Sequence, residues 1–354
     1  MTTGSPAVTD DADTPVDVVC LGESMVTFLP ALPGRLADVP AFERAIGGAE
    51  SNVACALAAA GHSTRWVGRV GADGFGDHLV EAVGSYGVDV RAVARDPDRP
   101  TGIYFRTADD RAADGHEVLY YRAGSAASAM SPATVPYRDL WTGRILHLSG
   151  ITAALSDDCL ALMRDLLMHR PGRPLVSFDV NYRPGLWRDA AGPRVLLDLA
   201  RGADIVFVGE DEAEAAWGLR GAAAVRAALP EPGVLVVKQG AAGATVFAGQ
   251  DPAAVTGAPG CFAPSPRVDV VAPVGAGDAF AAGFLSATLR DLPLRDRIRH
   301  GHLMAAAVLT VPGDLTQPPA RAHADRLVAL DDTAWGRLRL GPGWTGDDQE
   351  VRTP

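Results

Sequence analysis

The 354-residue sequence holds a single lysine, Lys238; every other basic residue is arginine. Arginine-rich coding explains most of that pattern, yet an ammonium and a guanidinium differ in size and geometry, which singles out Lys238. Positive charge is scarce overall as well. The 32 basic residues stand against 43 acidic ones, and the net charge of −11 leaves no basic stripe. That argues against nucleic acids and anionic membranes as partners. Cysteine is sparse: Cys20, Cys55, Cys159 and Cys261 lie far apart, in or near apolar runs. They lack metal-ligand spacing and suit the reduced, buried thiols of a cytoplasmic protein. No apolar run approaches the length of a membrane span. Residues 1–15 lack the basic and apolar regions of a signal peptide, and with residues 341–354 they read as loose tails. Repeats, long linkers and low-complexity runs are missing too.

What the chain does have is apolar residues, 47% of it, enough for one large α/β domain or two ordinary ones. Strand-like apolar runs at Val16–Leu21, Thr64–Val70, Ile145–Ser149, Leu175–Asp179, Ile205–Val208 and Val234–Lys238 alternate with helical stretches. The helices are expected over Val53–Ala60, Asp77–Tyr86, Asp157–His169, Val195–Arg201, Glu210–Trp217 and His300–Val311. Strands apolar throughout and alternating with helices indicate a mostly parallel sheet covered on both faces. One pair breaks the alternation. Thr101–Arg106 and Glu117–Arg122, separated by the polar loop Asp109–Gly115, read as a hairpin in a separate small sheet.

The stretch richest in chemistry is Val274-Gly275-Ala276-Gly277-Asp278-Ala279-Phe280. Pro273 ends the preceding run, glycines bracket an alanine, and an apolar helix begins. That layout leaves backbone N–H groups bare at a helix N-terminus, a setting that attracts phosphate. A carboxylate, Asp278, beside such an anion hole calls for a metal or a proton-transfer role. Two readings stand: Asp278 as the base of a phosphoryl-transfer centre, or an acidic residue that stabilises its own helix. In a parallel sheet, ligands bind at the carboxyl ends of the strands. Glu23, Asn181, Arg183, Gly209, Lys238 and Asp278 fall there.

A Walker A loop is absent, and Gly275-Ala276-Gly277 lacks the third glycine of a dinucleotide fingerprint. The early Gly47-Gly48-Ala49-Glu50-Ser51-Asn52 and late Gly275-Ala276-Gly277-Asp278 instead resemble the ribokinase-like (PfkB) carbohydrate kinases. Tyr120-Tyr121-Arg122-Ala123-Gly124-Ser125-Ala126, Phe178-Asp179-Val180-Asn181-Tyr182-Arg183 and Lys238-Gln239-Gly240-Ala241-Ala242-Gly243-Ala244 are most similar to the 2-keto-3-deoxygluconate kinase branch. The resemblance spans about Val18 to Asp314 and keeps the motif order. It implies a three-layer α/β/α ribokinase-like domain over residues 16–340, with lid strands from about 24–45 and 99–125. It also implies ATP and Mg²⁺ as cofactors, a sugar-acid substrate, and a possible homodimer through the lid.

By the same resemblance, Asp278 is the base and the amides of Gly275, Ala276 and Gly277 form the anion hole. Gly47, Gly48 and Asn52 belong to the sugar-binding turn, although Asn52 could instead cap its helix. Tyr104, Tyr121, Arg122 and Arg183 would hold the acidic sugar, since an arginine fork suits a carboxylate. The competing reading has Arg122 solvated and Arg183 paired with Asp179 or Asp189. Lys238, Gly240, Ala241 and Gly243, with Gly275, Gly277 and His302, would face the nucleotide; the competing reading has Gly240 and Gly243 as only a turn between two strands. No residue is expected to ligate metal directly. Three positions depart from the family pattern: Ala272 where an Asp is usual, Gly209 where Asn or Ser is common, and His302 where Asn is common. The expected activity is ATP-dependent phosphorylation of a sugar acid's terminal hydroxyl. A fructokinase-like neutral-sugar kinase is the alternative within the class, and a sugar sensor without turnover the alternative outside it.

Overall fold

The computed structural model describes residues 14–32, 34–107, 117–187, 191–249 and 260–346. The loop Asp109–Gly115, Asp189 and most of both expected tails lie outside the described residues.

The first strand shows why the main sheet is internal. In β1 (Val16–Leu21), Val19 and Leu21 enter one buried cluster while Val18 and Cys20 enter another. Successive side chains of a strand point to opposite faces, so a strand apolar on both needs cover on both. The main sheet runs, edge to edge, through β14 (Cys261–Pro264), β13 (Gly243–Ala248), β12 (Val234–Lys238), β11 (Ile205–Gly209), β10 (Leu175–Asp179), β9 (Gly143–Ser149), β1 and β4 (Thr64–Val67). Every pairing is parallel except β12 with β13 and β13 with β14. Helices Asp157–Leu167 and Gly192–Arg201 cover one face. Helices Ala49–Ala59, Ala276–Leu289 and Leu294–Leu309 cover the other. The last two pack backbone to backbone, because a Cβ on Gly283 would sit 2.4 Å from the His300 carbonyl oxygen.

A second sheet crosses the carboxyl ends of these strands. Its order is β3 (Phe42–Gly47), β2 (Met25–Pro30), β7 (Ile103–Arg106) and β8 (Val118–Tyr121). β7 and β8 pair antiparallel and β2 pairs with β7 in parallel. One face carries aromatic packing: Phe28 stacks on Phe105 at 4.8 Å, and Phe42 and Tyr121 meet Phe105 edge-on. The other face carries Tyr104 and Tyr120, with ring centroids 5.4 Å apart.

Several expected boundaries shift. The run Thr64–Val70 divides at Gly68, and Arg69–Gly71 (β5) leaves the main sheet to pair with Ala94–Asp96 (β6). The helix expected from Val53 begins at Ala49, and the one expected from His300 begins at Leu294. Chain beyond Leu340 is not loose where described: Trp344 is buried beside His323, next to the short pair β15 (Arg267–Val268) and β16 (Arg339–Leu340).

Candidate active site

Because β1, β10, β11 and β12 end on one side, the residues that follow them converge on one open cavity of about 880 Å³. Glu23 follows β1, and Asp179, Asn181 and Arg183 lie at or after the end of β10. Lys238 ends β12, and Glu212 sits in the first turn after β11. The second sheet roofs the cavity with Tyr104, Arg106, Tyr120 and Arg122.

The floor is the N-terminus of helix Ala276–Leu289. Its cap is Gly275, in the left-handed region at φ 75°, with no side chain to satisfy the first N–H groups. Only glycine adopts that backbone without cost, and a Cβ there would also sit 2.6 Å from the Asp314 carbonyl oxygen. At Gly277 the space is open, and the nearest atom to an added Cβ is Lys238 Nζ at 3.5 Å. An ammonium therefore stands beside the bare amides, and the two together form an anion cradle.

Asp278 occupies the first turn of this helix and accepts a hydrogen bond from Asn52 Nδ2 at 2.9 Å. Burial pushes its pKa up to about 7. The Asn52 bond and Lys238 oppose the rise, while the charges of Asp179 and Asp314 add to it. Asn52 lies inside its helix, its N–H bonded to the Gly48 carbonyl, so it is not the cap.

Lys238 donates to both oxygens of Asp179, at 2.8 and 3.1 Å. Burial opposes its charge, but Asp179 and Glu212 outweigh burial and hold its pKa above the usual value. Glu212 accepts from the Gly209 N–H at 2.9 Å. Its pKa is raised by burial, with Lys238 pulling the other way. Asn181 takes a left-handed backbone, φ 41°, and its buried Oδ1 has no hydrogen-bond partner. Strain of that kind collects at ligand sites.

The two expected arginines differ. Arg122 is largely covered, pairs with Glu23, and lies over the Tyr120 ring at 5.7 Å. Arg183 is exposed at the cavity edge and has no ion pair among the described residues; Asp179, its suggested partner, belongs to Lys238. Gly47 and Gly48 also line the cavity, yet their missing side chains make room for protein. A Cβ on Gly47 would meet the Tyr104 hydroxyl at 2.2 Å, and one on Gly48 the Glu23 carbonyl at 2.5 Å.

Of the expected residues, Gly47, Gly48, Asn52, Tyr104, Arg122, Arg183, Lys238, Gly275, Ala276, Gly277 and Asp278 share the cavity. Five others lie elsewhere. Tyr121 points to the opposite face of β8 and is 61% exposed; alternation puts Tyr120 inside instead. His302 is buried against Phe280 with Nε2 3.2 Å from the Ala263 carbonyl oxygen. Gly240 and Ala241 form an exposed turn past Lys238, and Gly243 is buried where β13 meets β14. At Gly209 an added Cβ would first meet the side chains of Asp211 and Glu212, 2.5 Å from Asp211 Oδ1. Ala272 has no polar side chain, and its N–H bonds the Leu309 carbonyl at 3.4 Å. Sequence reasoning did not assign Arg106, Asp179, Glu212 or Asp314 to the site. Asp179 and Glu212 could have been found as carboxylates at or just after strand ends; Arg106 carried the same period-2 signal as Tyr104.

Comparison with known proteins agrees with this geometry. Residues 16–321 match the model of the pfkB family of carbohydrate kinases. A 2-dehydro-3-deoxygluconokinase of Bacillus subtilis is 36% identical over 318 residues, 86% of this chain and 93% of that protein. One from Thermoproteus tenax is 33% identical, covering 90% of this chain and 96% of its own length. The crystal structure of a PfkB protein from Polaromonas sp. JS666, 31% identical, superposes with a TM-score of 0.75 over 88% of this chain and 99% of that one. A bare helix N-terminus flanked by a lysine and a carboxylate, under a small β-sheet on a ribokinase-like body, thus belongs to a sugar kinase, and this chain is a member of the pfkB carbohydrate kinase family.

Proposed function

We propose that this sugar kinase phosphorylates the terminal hydroxyl of a sugar acid, 2-keto-3-deoxygluconate, giving its 6-phosphate with ATP and Mg²⁺. The carrying observation is that Arg122 and Arg183 share one cavity with Asp278, and that Arg183 keeps its charge free of any ion pair among the described residues. A keto-deoxy sugar acid presents a carboxylate, which an arginine fork binds in two places. A neutral hexose gives such a pair nothing to hold.

In this reading Asp278 accepts the proton of the attacking hydroxyl, and Asn52 keeps its carboxylate oriented. The amides of Gly275–Gly277 and the Lys238 ammonium hold the anionic group in transfer. Phosphoryl transfer asks the protein mainly for positioning and charge neutralisation. The donor set fits a polyphosphate: bare amides, an ammonium, and the carboxylates Asp179 and Glu212 near enough to Lys238 to tune it. Mg²⁺ would reach the site bound chiefly through phosphates and water. Tyr104, Tyr120 and Arg106 roof the sugar end and keep water out.

ADP release followed with ATP, Mg²⁺ and a panel of sugars tests the proposal. The expected result is fastest turnover with 2-keto-3-deoxygluconate, lost in Asp278→Asn. A neutral hexose preferred by a wide margin would overturn the arginine assignment, and sugar binding with no turnover under any metal or nucleotide would overturn the kinase role.

A further inference from the structure

We propose that Arg106 is the positioning residue through which the lid fixes the anion-hole loop, with Asp314 as its counter-charge; the inference rests on the kinase reading above. Strand β7 sends two side chains inward, Tyr104 and Arg106, and both land on one carboxylate of the body. Arg106 Nη2 donates to Asp314 Oδ1 at 2.8 Å, and the Tyr104 hydroxyl donates to Oδ2 at 3.4 Å. The pair is buried, its side chains 6% and 7% exposed. Asp314 in turn touches the two glycine turns that build the site. Its backbone lies where a Cβ on Gly275 would come within 2.6 Å of its carbonyl oxygen and 3.0 Å of its Cα. Its Oδ2 lies 3.1 Å from where a Cβ on Gly47 would be.

One carboxylate is therefore wedged between the lid, the early glycine turn and the anion hole. Without Arg106 it would be a buried, uncompensated charge. Burial already raises its pKa, and Arg106 is the main group holding it down. The other buried tie between lid and body works at a different place. Glu23 holds Arg122 and accepts from the Ser125 hydroxyl at 2.7 Å, whereas the three atoms nearest an added Cβ at Gly275 all belong to Asp314. Lid placement and anion-hole placement are thus linked through Arg106 and its partner Asp314. A further consequence is that Arg106 touches neither reacting group, so its loss acts through Asp314, by way of the Gly275 turn that Asp314 packs against and of the Asp314 charge that bears on Asp278.

Two measurements test this, on Arg106→Gln, Asp314→Asn, the double variant and Arg106→Lys. Hydrogen exchange on the protein without substrate is expected to quicken at the amides of β7 and at residues 279–282, the first hydrogen-bonded amides of the helix that Gly275 caps, together in each single variant. Steady-state assays are expected to show kcat/KM reduced ~10-fold or more in each single variant, the double no worse than the worse single, and Arg106→Lys recovering part of the loss. Unchanged exchange at 279–282, or losses that add in the double variant, overturns the proposal. Should Arg106→Gln fail to fold, Asp314→Asn and Arg106→Lys carry the same comparison. Exchange needs no substrate, so a chain that phosphorylates no sugar would remove the kinase reading while leaving this linkage to be decided by the exchange data.

Discussion

On the proposed role as base, Asp278 is a carboxylate that must ionise to act, held where ionising is costly. Burial takes its pKa to about 7, near the optimum for a general base at neutral pH. The sign of the stability effect follows. The folded-state value lies above the unfolded one of 3.8, so the charge destabilises the fold. The cost is absent below the unfolded pKa, grows as pH rises, and is complete above the folded pKa. Asp278→Asn should therefore abolish turnover and raise Tm at pH 8 by ~2–4 °C, with a smaller gain at pH 5. In the native enzyme kcat/KM should fall as pH drops through about 7. Equal Tm gains at both pH values, or a rate flat down to pH 5, would refute the buried-base picture. The placement of Asp278 beside the anion-hole glycines was open to a sequence reader because its glycines and its helix are contiguous with it. Asn52 as its hydrogen-bond partner was not, since 226 residues separate the two and a helix-start Asn looks like a cap.

Two elements show what local pattern does and does not carry. The hairpin β7–β8 was legible from two β-rich runs around a polar loop. Its register was not, and a shift of one residue flips every side chain to the other face. Tyr121, expected at the sugar by family resemblance, falls on the outer face of β8, while Tyr120 lines the cavity. The helix Ala276–Leu289 was legible at its start, because the glycines that leave its first amides bare are also what the chain needs to turn. Gly275 bears two loads, a left-handed backbone and contact with Asp314. Gly275→Ala is expected to cut kcat 100-fold or more, ~10²–10³, by moving the amides that meet the transferred group. Gly277→Ala, whose Cβ would meet only Lys238 Nζ at 3.5 Å, should lose less. Kinetics of the two variants side by side check this, and equal losses would mean that the backbone at Gly275 is not the determinant.

At the scale of the molecule, the alternation of apolar strands and helices announced a parallel sheet with its ligands at one rim. It did not announce that the chain past the Gly240–Gly243 turn closes the sheet with an antiparallel edge, β13–β14, nor the ion pairs that join the two sheets across long sequence gaps. Those pairs separate the two arginines assigned to the sugar acid. Arg183 is exposed and unpaired among the described residues, so replacing it should disturb binding alone. Arg122 is 9% exposed and neutralises Glu23, itself 1% exposed. Removing it leaves a buried charge without a partner, which costs about 3 kcal/mol or more. Arg183→Gln is therefore expected to raise KM for the sugar acid ~30-fold with Tm unchanged and with any turnover of a neutral hexose unaffected. Arg122→Gln should raise KM comparably and also lower Tm by several degrees. Tm scans and KM values for both variants on an acidic and a neutral sugar decide the matter. If Arg183→Gln treats the two sugars alike, no carboxylate is read at that edge of the cavity, and the substrate is to be sought among neutral sugars. If Arg122→Gln keeps its Tm, the Glu23 pair is not what holds that corner of the lid to the body.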